Sequence, residues 1–479
     1  MVTEALSSID RAWLRMEGPT HPMMITVLLV FDAPIDFVRL RSVVSDRLLR
    51  YPRFRQRVVQ DGDTAQWQED PSLDLDHHLR QTSLPAPADE GALRALAGEL
   101  MSRQLDFSRP LWQFHLIESY RSGCALVGRV HHCLADGPAL LHVLLALTDG
   151  QSDLPLPDSL LEEPAAGIAA QVAELLVRQG FNILVNPFRL RELARLGAGT
   201  TTALSKLLWR SPDPDTIFRG RLGVPKQVAW SRPVPLAEVK AIGHGVGGTV
   251  NDVMLAAATG ALRRYLVARG KPVQGLTIRA GLSVNLREPD DYPSLGNQAG
   301  AVLVDLPVGL DTASERLRQV KQSMDQVKNS PEASVIWALM NALGKAPEGV
   351  QEMLVETYCT RETAVIANVP GPREVVSLAG APLSALMFWV PALGGAGLCL
   401  SIASYAGQVW FGVGADQGLV PDPEELVGGF QAEFAALQQT VQKPTPDRVQ
   451  ATTDEDVVEA MHAMLDEAIA KVDDLLEVR

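Results

Sequence analysis

The sequence predicts a mixed α/β or α+β protein with two lobes of similar size. Short apolar runs and alternating patterns typical of strands recur in both halves of the chain, with helical patterns between them. Of the 479 residues, 46% are hydrophobic and 21% are charged, which is ordinary globular composition and permits a large buried core. This length fits two large domains as well as three of average size.

Charge and cysteine content exclude several classes of protein. The formal net charge is −14, and binding to nucleic acid needs clustered Lys and Arg, so we expect no nucleic-acid partner. The four cysteines, Cys124, Cys133, Cys359 and Cys399, are scattered and never spaced C-x-x-C. This spacing argues against a zinc ribbon or a disulfide framework and fits a reducing cytoplasm.

No segment has the pattern of a membrane-crossing helix. The opening residues, MVTEALSSIDRAWLRMEG, carry acids and an arginine where a signal peptide has its apolar core. The longest charge-free stretch, residues 375–415, contains Pro382, Pro391 and seven glycines, which would break a membrane helix repeatedly. Its short apolar runs predict buried strands, and we expect a cytoplasmic protein.

The first half mixes strands with helices. Apolar runs bounded by turn residues indicate the strands, and Pro138 suits the first position of a helix. The predicted elements are a strand at Met24–Phe31, a helix at 37–49, strands at 111–120 and 124–130, and a helix opened by Asp136-Gly137-Pro138.

The second half repeats this mixture. Gly270 is the predicted stop of its first helix, and Ala406-Gly407 is the predicted turn of a hairpin. The predicted elements are a helix after Gly248-Thr249-Val250-Asn251-Asp252, strands in LTIRAGLSVNLR and AVLVDLP, helices from Ser314 and at 333–343, a strand at 363–369, and strands at 398–404 and 409–414.

The strongest functional motif is His131-His132-x-x-x-Asp136-Gly137, placed where a buried strand ends and a helix begins. By chance it would occur on the order of once in a thousand chains of this size. Histidine, with a reference pKa of about 6.5, can remove a hydroxyl proton during acyl transfer and return it to a leaving thiolate. Asp136 can orient the loop without taking part in proton transfer.

Other interpretations of these residues stay open at this point. A His–His–Asp set could bind metal, although adjacent histidines at a strand end point to opposite faces. Cys133 could be a nucleophile, although a small buried thiol is the more common role. The histidines could also be structural. A second pair, at Asp76-His77-His78, lacks the following Asp-Gly and is predicted to lie on the surface.

Further blocks make the chain resemble the bacterial wax ester synthase/diacylglycerol acyltransferase family, within the HHxxxDG superfamily that also contains condensation domains. The similarity extends over roughly residues 6 to 435. The matching blocks are Ser8-x-Asp10 to Glu17, Pro52–Arg57, Leu105–Trp112 with His115–Glu118, Asn251-Asp252, Ser283–Arg287, Gly296–Gln298, Asn368–Pro372, and Ala415-Asp416 near Pro421-Asp422. Two departures, Ala367 and Pro138-Ala139, leave substrate preference open.

The resemblance implies a two-lobed fold like chloramphenicol acetyltransferase, with a channel between the lobes. It also implies transfer of an acyl group from acyl-CoA to a fatty alcohol or diacylglycerol, with acyl-CoA as a substrate and no cofactor or metal. By matching position, His132 is the base, His131 its structural neighbour, and Asp136 the partner of Arg287 in the second lobe. Gly137 completes the motif.

The remaining blocks have simpler interpretations beside the functional ones. The simpler interpretation of Asn251-Asp252 is a pair that caps a helix. In the functional interpretation, this pair supports the site together with Arg287. Trp112 is first a packing residue, and Gly296-Asn297 and Pro370-Gly371-Pro372 are first tight turns. As channel candidates we name Trp112, Asn285, Asn297, Asn368 and Gly371. The charge-free segment 375–415 is a candidate for the wall of an apolar tunnel that holds the acyl chain.

The predicted domain boundaries are an N-terminal lobe at 1–177, a basic helical crossover at 178–232, a C-terminal lobe at 233–440 and an acidic C-terminal helix at 441–479. The crossover carries ten Lys/Arg against three Asp/Glu. This segment is either a solvated linker or a basic patch that binds CoA phosphates or an anionic membrane surface. Peripheral binding to the inner membrane or to lipid inclusions therefore stays open. The terminal helix is interpreted as a docking or homodimer helix.

Two rival functions remain at this level. One is a condensation-type acyltransferase whose donor is a carrier protein. The other is a lipid-binding relative that kept the fold and lost the chemistry. Intact His132, Asp136 and Arg287 argue against the second.

Overall fold

A computed structural model describes residues 3–62, 64–150, 210–287, 295–328, 330–345, 361–392 and 394–442. The chain divides into two compact units, 1–437 and 438–479. The predicted terminal helix beyond residue 442 and the crossover up to residue 209 lie outside the described residues. None of the helices in the described ranges has the length and hydropathy needed to span a bilayer.

The described strands form three sheets, and their labels follow the chain. The strands are β1 (Thr3–Ala5), β2 (Met24–Phe31), β3 (Gln56–Asp61), β4 (Thr64–Glu69), β5 (Leu79–Thr82), β6 (Trp112–Tyr120), β7 (Gly123–His131), β8 (Lys226–Trp230), β9 (Val234–Pro235), β10 (Ile278–Asn285), β11 (Ala299–Leu306), β12 (Ala364–Pro370), β13 (Ser377–Leu378), β14 (Ala381–Trp389), β15 (Leu398–Tyr405) and β16 (Gln408–Asp416).

The described helices are labelled in the same way. They are α1 (Ser8–Arg15), α2 (Phe37–Asp46), α3 (Leu75–His78), α4 (Glu90–Ser102), α5 (Gly137–Ala146), α6 (Leu236–His244), α7 (Val250–Ala268), α8 (Ala313–Lys328), α9 (Glu332–Lys345) and α10 (Pro423–Gln442).

The first sheet has the order β13-β14-β2-β7-β6-β5. Its centre is the antiparallel pair β2–β7, in register from Met24↔His131 to Phe31↔Cys124. Strand β14 comes from the second half of the chain and pairs antiparallel with β2. The first sheet is therefore completed by a segment that lies more than 200 residues later in the sequence, inside the range predicted for the C-terminal lobe.

The second sheet has the order β11-β10-β12-β15-β16-β8, with β9 also on β16, and its strands β10, β12 and β15 are parallel. Helices α7 and α10 cover it, and their apolar side chains form one core with the strands. A separate core lies around the first sheet. The two larger of the three sheets each have their own core. This arrangement confirms the predicted α/β class and its two-lobed character.

Most predicted elements coincide with observed ones. The predicted strand at 24–31 is β2, and the charge-free segment forms β13 to β16. Gly270 has φ +65° and follows the end of α7, as the stop interpretation requires. The hairpin turn has φ +46° at Ala406 and +74° at Gly407. The predicted helix at 37–49 is shorter and ends at Asp46.

Two predictions are wrong. The N-cap of α7 is Thr249 rather than Asn251-Asp252; Asp252 is the third helical residue and completes a capping box with Thr249. His78 is fully buried instead of lying on the surface, because its ring stacks on Trp112 at 4.4 Å and its Nδ1 contacts the Trp112 carbonyl at 2.8 Å. A short polar motif does not reveal that its helix, α3, packs against Trp112 of β6.

The N-terminal helix α1 contacts α9 of the second half at a very short backbone distance. A Cβ placed on Gly344 would lie 1.7 Å from the Ser8 carbonyl oxygen. Glycine is therefore required there by the close approach of two backbones. In contrast, a Cβ on Gly428 in α10 would meet no atom within 4 Å.

We predict opposite effects for alanine at these two helical glycines. Gly344→Ala should lower the free energy of unfolding by about 1–3 kcal/mol, because the helices must move apart. Gly428→Ala should raise it by about 0.5–1 kcal/mol, because alanine favours the helix and the position is open. Denaturant unfolding of both variants measures the difference. Equal effects would contradict the described α1–α9 packing.

Candidate active site

The histidine motif lies between the end of β7 and the start of α5. Asp136 is the N-cap of α5, and its Oδ1 accepts a hydrogen bond from the Ala139 N–H at 3.1 Å. Its Oδ2 accepts from the Gln298 N–H at 2.8 Å and from Arg287 Nη1 at 2.8 Å. One carboxylate therefore starts a helix of the first lobe and binds two segments of the second.

The predicted contact between Asp136 and Arg287 is confirmed. Both side chains are buried, with 1% and 3% exposed. The guanidinium also donates from Nη2 to the Gly296 carbonyl at 3.0 Å and from Nη1 to Asn285 Oδ1 at 3.3 Å. Asn285, a predicted channel residue, braces this arginine in the structure. The pair joins the motif loop to the end of β10.

His132 is enclosed on three sides. Its ring stacks on Trp13 of α1 at 3.8 Å with an interplanar angle of 15°. Its backbone N–H donates to the Met23 carbonyl at 2.7 Å, and its Nδ1 contacts Asn297 Oδ1 at 2.9 Å. Nε2 has no hydrogen-bond partner among the described residues. It is also absent from the polar side-chain atoms that are completely buried without a partner. Within the described part of the chain, Nε2 is therefore the ring nitrogen without a partner.

The electrostatic surroundings keep the His132 ring neutral. Burial lowers the pKa of His132 to about 4, against the opposing effects of the Asp136 charge, the residue's own carbonyl and Asn297. At neutral pH one ring nitrogen therefore carries a proton and the other carries a lone pair. Burial also raises the pKa of the Cys133 thiol well above its usual range, so that thiol stays protonated and is a poor nucleophile.

His131 has a different set of partners from His132. Its Nδ1 accepts a hydrogen bond from the Cys133 N–H at 3.1 Å, and its Nε2 lies 3.4 Å from Glu17 Oε2. Glu17 also accepts from Gln104 Nε2 at 2.8 Å. Because the two rings face different groups, His131 serves the loop and not the free nitrogen of His132. In the described ranges, no three His, Cys, Asp or Glu side chains are grouped as metal ligands.

The other predicted site residues have structural contacts. Asn368 Nδ2 donates to Asn251 Oδ1, which links β12 to the start of α7. Gly371 N–H donates to the Ser404 carbonyl at 2.7 Å, and a Cβ there would lie 2.6 Å from that oxygen. The nearest atom to a Cβ on Gly137 would be Val369 Cγ2, at 3.7 Å. The turn at the end of β12 therefore lies beside the motif.

Two channel candidates are instead enclosed. Trp112 is fully buried in the first core, and its Nε1 donates to the Phe54 carbonyl at 2.8 Å. Asn297 is buried, and all its polar atoms are engaged by protein groups. Both therefore stabilise the protein around the site and offer no group to a ligand. Sequence reasoning assigned no role to Asp10, Trp13 or Glu17, although Asp10 and Glu17 belong to a matching block.

A mainly apolar cavity lies near the start of β2. Its volume is about 40 Å³. Pro22 and Met24 line it and flank Met23, the residue whose carbonyl accepts the His132 N–H. Half of the lining residues belong to the charge-free segment: Val390, Pro391, Ala392, Ala396, Gly397, Cys399, Gly414 and Ala415.

We predict that removing either side of the Asp136–Arg287 pair strongly destabilises the protein. Asp136→Asn or Arg287→Gln should each lower the free energy of unfolding by about 3–5 kcal/mol, because each leaves a buried charge uncompensated. The matched control is the exposed pair Glu99–Arg103, where Glu99→Gln should change it by less than about 1 kcal/mol. Denaturant unfolding of single and double variants should show coupling for the buried pair. Additive effects there would contradict the described contact.

Comparison with known proteins assigns a family. A family model described as wax ester synthase/diacylglycerol acyltransferase catalytic domain matches residues 6–254, and one described as WS/DGAT C-terminal domain matches residues 295–438. A Mycobacterium bovis protein that carries the name diacylglycerol O-acyltransferase is 30% identical over 462 residues, covering 90% of each chain. A Mycobacterium tuberculosis protein with the same name is 28% identical over 454 residues, covering 90% of this chain and 95% of its own.

Solved structures support the same fold. The wax ester synthase/diacylglycerol acyltransferase from Marinobacter aquaeolei VT8 superposes with a TM-score of 0.67 at 24% identity, over 92% of this chain and all of that one. The condensation domain of the Monacolin K polyketide synthase MokA superposes with a TM-score of 0.58 at 14% identity, over 93% and 98%. With its two sheets, its buried histidine motif and both matching domains, the chain belongs to the wax ester synthase/diacylglycerol acyltransferase family.

Proposed function

We propose that this family member transfers a long-chain acyl group from acyl-CoA to the hydroxyl of diacylglycerol or a fatty alcohol, with His132 as general base. The products are triacylglycerol or a wax ester and free CoA. The observation that carries the proposal is a buried, neutral His132 ring, held by residues from both halves of the chain, whose Nε2 has no partner among the described residues.

The proposed reaction begins when the acceptor hydroxyl donates a hydrogen bond to His132 Nε2. The oxygen attacks the thioester carbonyl as the proton moves to the ring, and a tetrahedral intermediate forms. When this collapses, the carbon–sulfur bond breaks and the ring returns the proton to the thiolate of CoA. Asp136 does not accept this proton, because its oxygens already accept three N–H donors.

The cavity near Met23 is the proposed place for part of an acyl chain. A long chain gains about 0.8 kcal/mol for each CH₂ removed from water, so an apolar lining is the required surface. Two of the charged residues that line this cavity, Lys226 and Asp416, form a buried ion pair at 2.7 Å. The charge-free segment supplies half of the lining, as the tunnel interpretation of residues 375–415 anticipates.

We predict that His132→Ala lowers turnover by about 10²–10⁴-fold while the protein still folds, because general base catalysis is worth that much. The assay contains purified protein, palmitoyl-CoA and a panel of linear alcohols beside diacylglycerol. A thiol reagent follows CoA release, and thin-layer chromatography identifies the ester.

The matched control for this variant is His244→Ala, since His244 is an exposed histidine at the end of α6. It should keep full activity. Unchanged turnover in His132→Ala would end the proposal. If the wild-type protein used only a carrier-bound acyl donor, a condensation-type reaction would replace it. If it accepted neither donor, it would be a lipid-binding relative without this chemistry.

We also predict an unusual pH dependence. The base acts in its neutral form, and the pKa of His132 is lowered to about 4 by burial. Turnover should therefore stay constant on the acid side down to about pH 6 and fall only as the pH approaches the pKa of the ring. kcat/KM measured between about pH 4.5 and 8, with circular dichroism at each pH, tests this. An acid limb centred near the ordinary histidine value of about 6.5 would contradict it.

A further inference from the structure

The side-chain amide of Asn297 has only one orientation that satisfies its contacts. Its Nδ2 lies 2.8 Å from the backbone carbonyl oxygen of His132 and 2.8 Å from Asp10 Oδ1. A backbone carbonyl oxygen can only accept, so the atom that faces it must be the NH₂ group. The amide oxygen of Asn297 is then the atom that faces the His132 ring.

This orientation decides where the His132 proton sits. Asn297 Oδ1 lies 2.9 Å from His132 Nδ1, and an amide oxygen has no hydrogen to donate. Nδ1 must therefore carry the N–H, and in the neutral ring the lone pair is left on Nε2. Trp13 lies parallel to the ring at 3.8 Å and so fixes its plane.

His131 provides an internal comparison with the opposite proton position. Its Nδ1 accepts the Cys133 N–H at 3.1 Å, so that nitrogen carries the lone pair. The proton of its neutral ring is then on Nε2, which lies 3.4 Å from Glu17 Oε2. The two adjacent histidines thus hold opposite tautomers, and His132 is the one with a free basic Nε2.

Asp10 of α1 is a buried acid whose carboxyl group is only partly hydrogen-bonded. It is 1% exposed, its Oδ1 accepts from Asn297, and its Oδ2 has no hydrogen-bond partner among the described residues. Burial raises the pKa of Asp10, and the nearby Arg53 charge opposes this. An incompletely paired buried carboxyl is costly and calls for a compensating role.

We infer that Asn297 and Asp10 are positioning residues that hold His132 as the Nδ1–H tautomer and stabilise its protonated form during the reaction, an inference that rests on the proposed role of His132. Asp10, whose ionised form is favoured by the nearby Arg53 charge, acts through the oriented amide, which donates to the acid and accepts from the ring. Asp136, the acid of the motif, does not serve this purpose, because Arg287 already balances its charge. The arrangement places an amide between the base and its orienting acid.

The first arm of the test reads the tautomer directly and needs no turnover. Protein labelled with ¹⁵N-histidine, with signals assigned by His131→Gln and His132→Gln, reports which ring nitrogen carries the proton. Wild type should show His132 protonated on Nδ1 and His131 protonated on Nε2. Asn297→Ala should remove the Nδ1 preference of His132. A wild-type His132 signal protonated on Nε2 would overturn the inference.

The second arm separates orientation from charge. Asn297→Ala should lower kcat at least about tenfold, because most of the rings then present Nε2–H and the protonated ring loses the amide oxygen that accepts from it. Asp10→Asn keeps an acceptor for the Asn297 amide and should keep the tautomer, but lower kcat about tenfold with KM unchanged, since the charge is gone. The matched control is Asn341→Ala, a buried asparagine of α9, which should leave the His132 signal and kcat unchanged.

The two arms distinguish failure of this inference from failure of the proposed function. If the tautomers are as stated but His132→Ala keeps its turnover, the proposed function falls and the positioning stands. If His132→Ala abolishes turnover while Asn297→Ala and Asp10→Asn match wild type in kcat, the inference alone is refuted. Should Asn297→Ala fail to fold, the wild-type tautomer and Asp10→Asn still decide.

Discussion

The buried ion pair of Asp136 and Arg287 is the interaction on which the rest of the site depends. It connects the loop after β7 to the end of β10, and Asp136 also binds the Gln298 N–H. These contacts set Asn297, which lies between the two bound residues Gly296 and Gln298, directly against His132. A buried ion pair often contributes little net stability. Here the Asp136–Arg287 pair determines where Asn297 lies relative to His132.

The acids around the histidines have separate tasks. Asp136 caps a helix and binds an arginine, so its charge is balanced. Glu17 lies beside His131, and Asp10 reaches His132 only through an amide. Because each acid has its own partner, the region can hold several carboxyl groups out of water without bringing like charges into contact. Of the four ring nitrogens of His131 and His132, His132 Nε2 is the one that faces no donor or acceptor from the described residues.

The way the chain crosses between the sheets explains why distant segments are needed. Strand β14 completes the first sheet, and α1 packs on α9 with Gly344 against the Ser8 carbonyl. Helix α1 carries both Asp10 and Trp13, so its docking on the second half delivers both residues to His132. The His132 ring is therefore held between Trp13, near the beginning of the chain, and Asn297, in its second half.

The sequence by itself determined the α/β class, the strands β2 and β7, the charge-free strands and the His132–Asp136 motif, because local periodicity and fixed spacing carry that information. It also indicated Arg287, through a matching block. The burial of His78, the cap at Thr249 and the roles of Trp13, Asp10 and Asn297 were decided by the tertiary structure. Apart from the Thr249 cap, which pairs with Asp252 three residues on, each depends on a contact between segments far apart in the chain, and hydrophobic pattern does not encode which polar atoms will meet. The tautomer of His132 belongs to this second group, since it follows from one amide placed 165 positions along the chain.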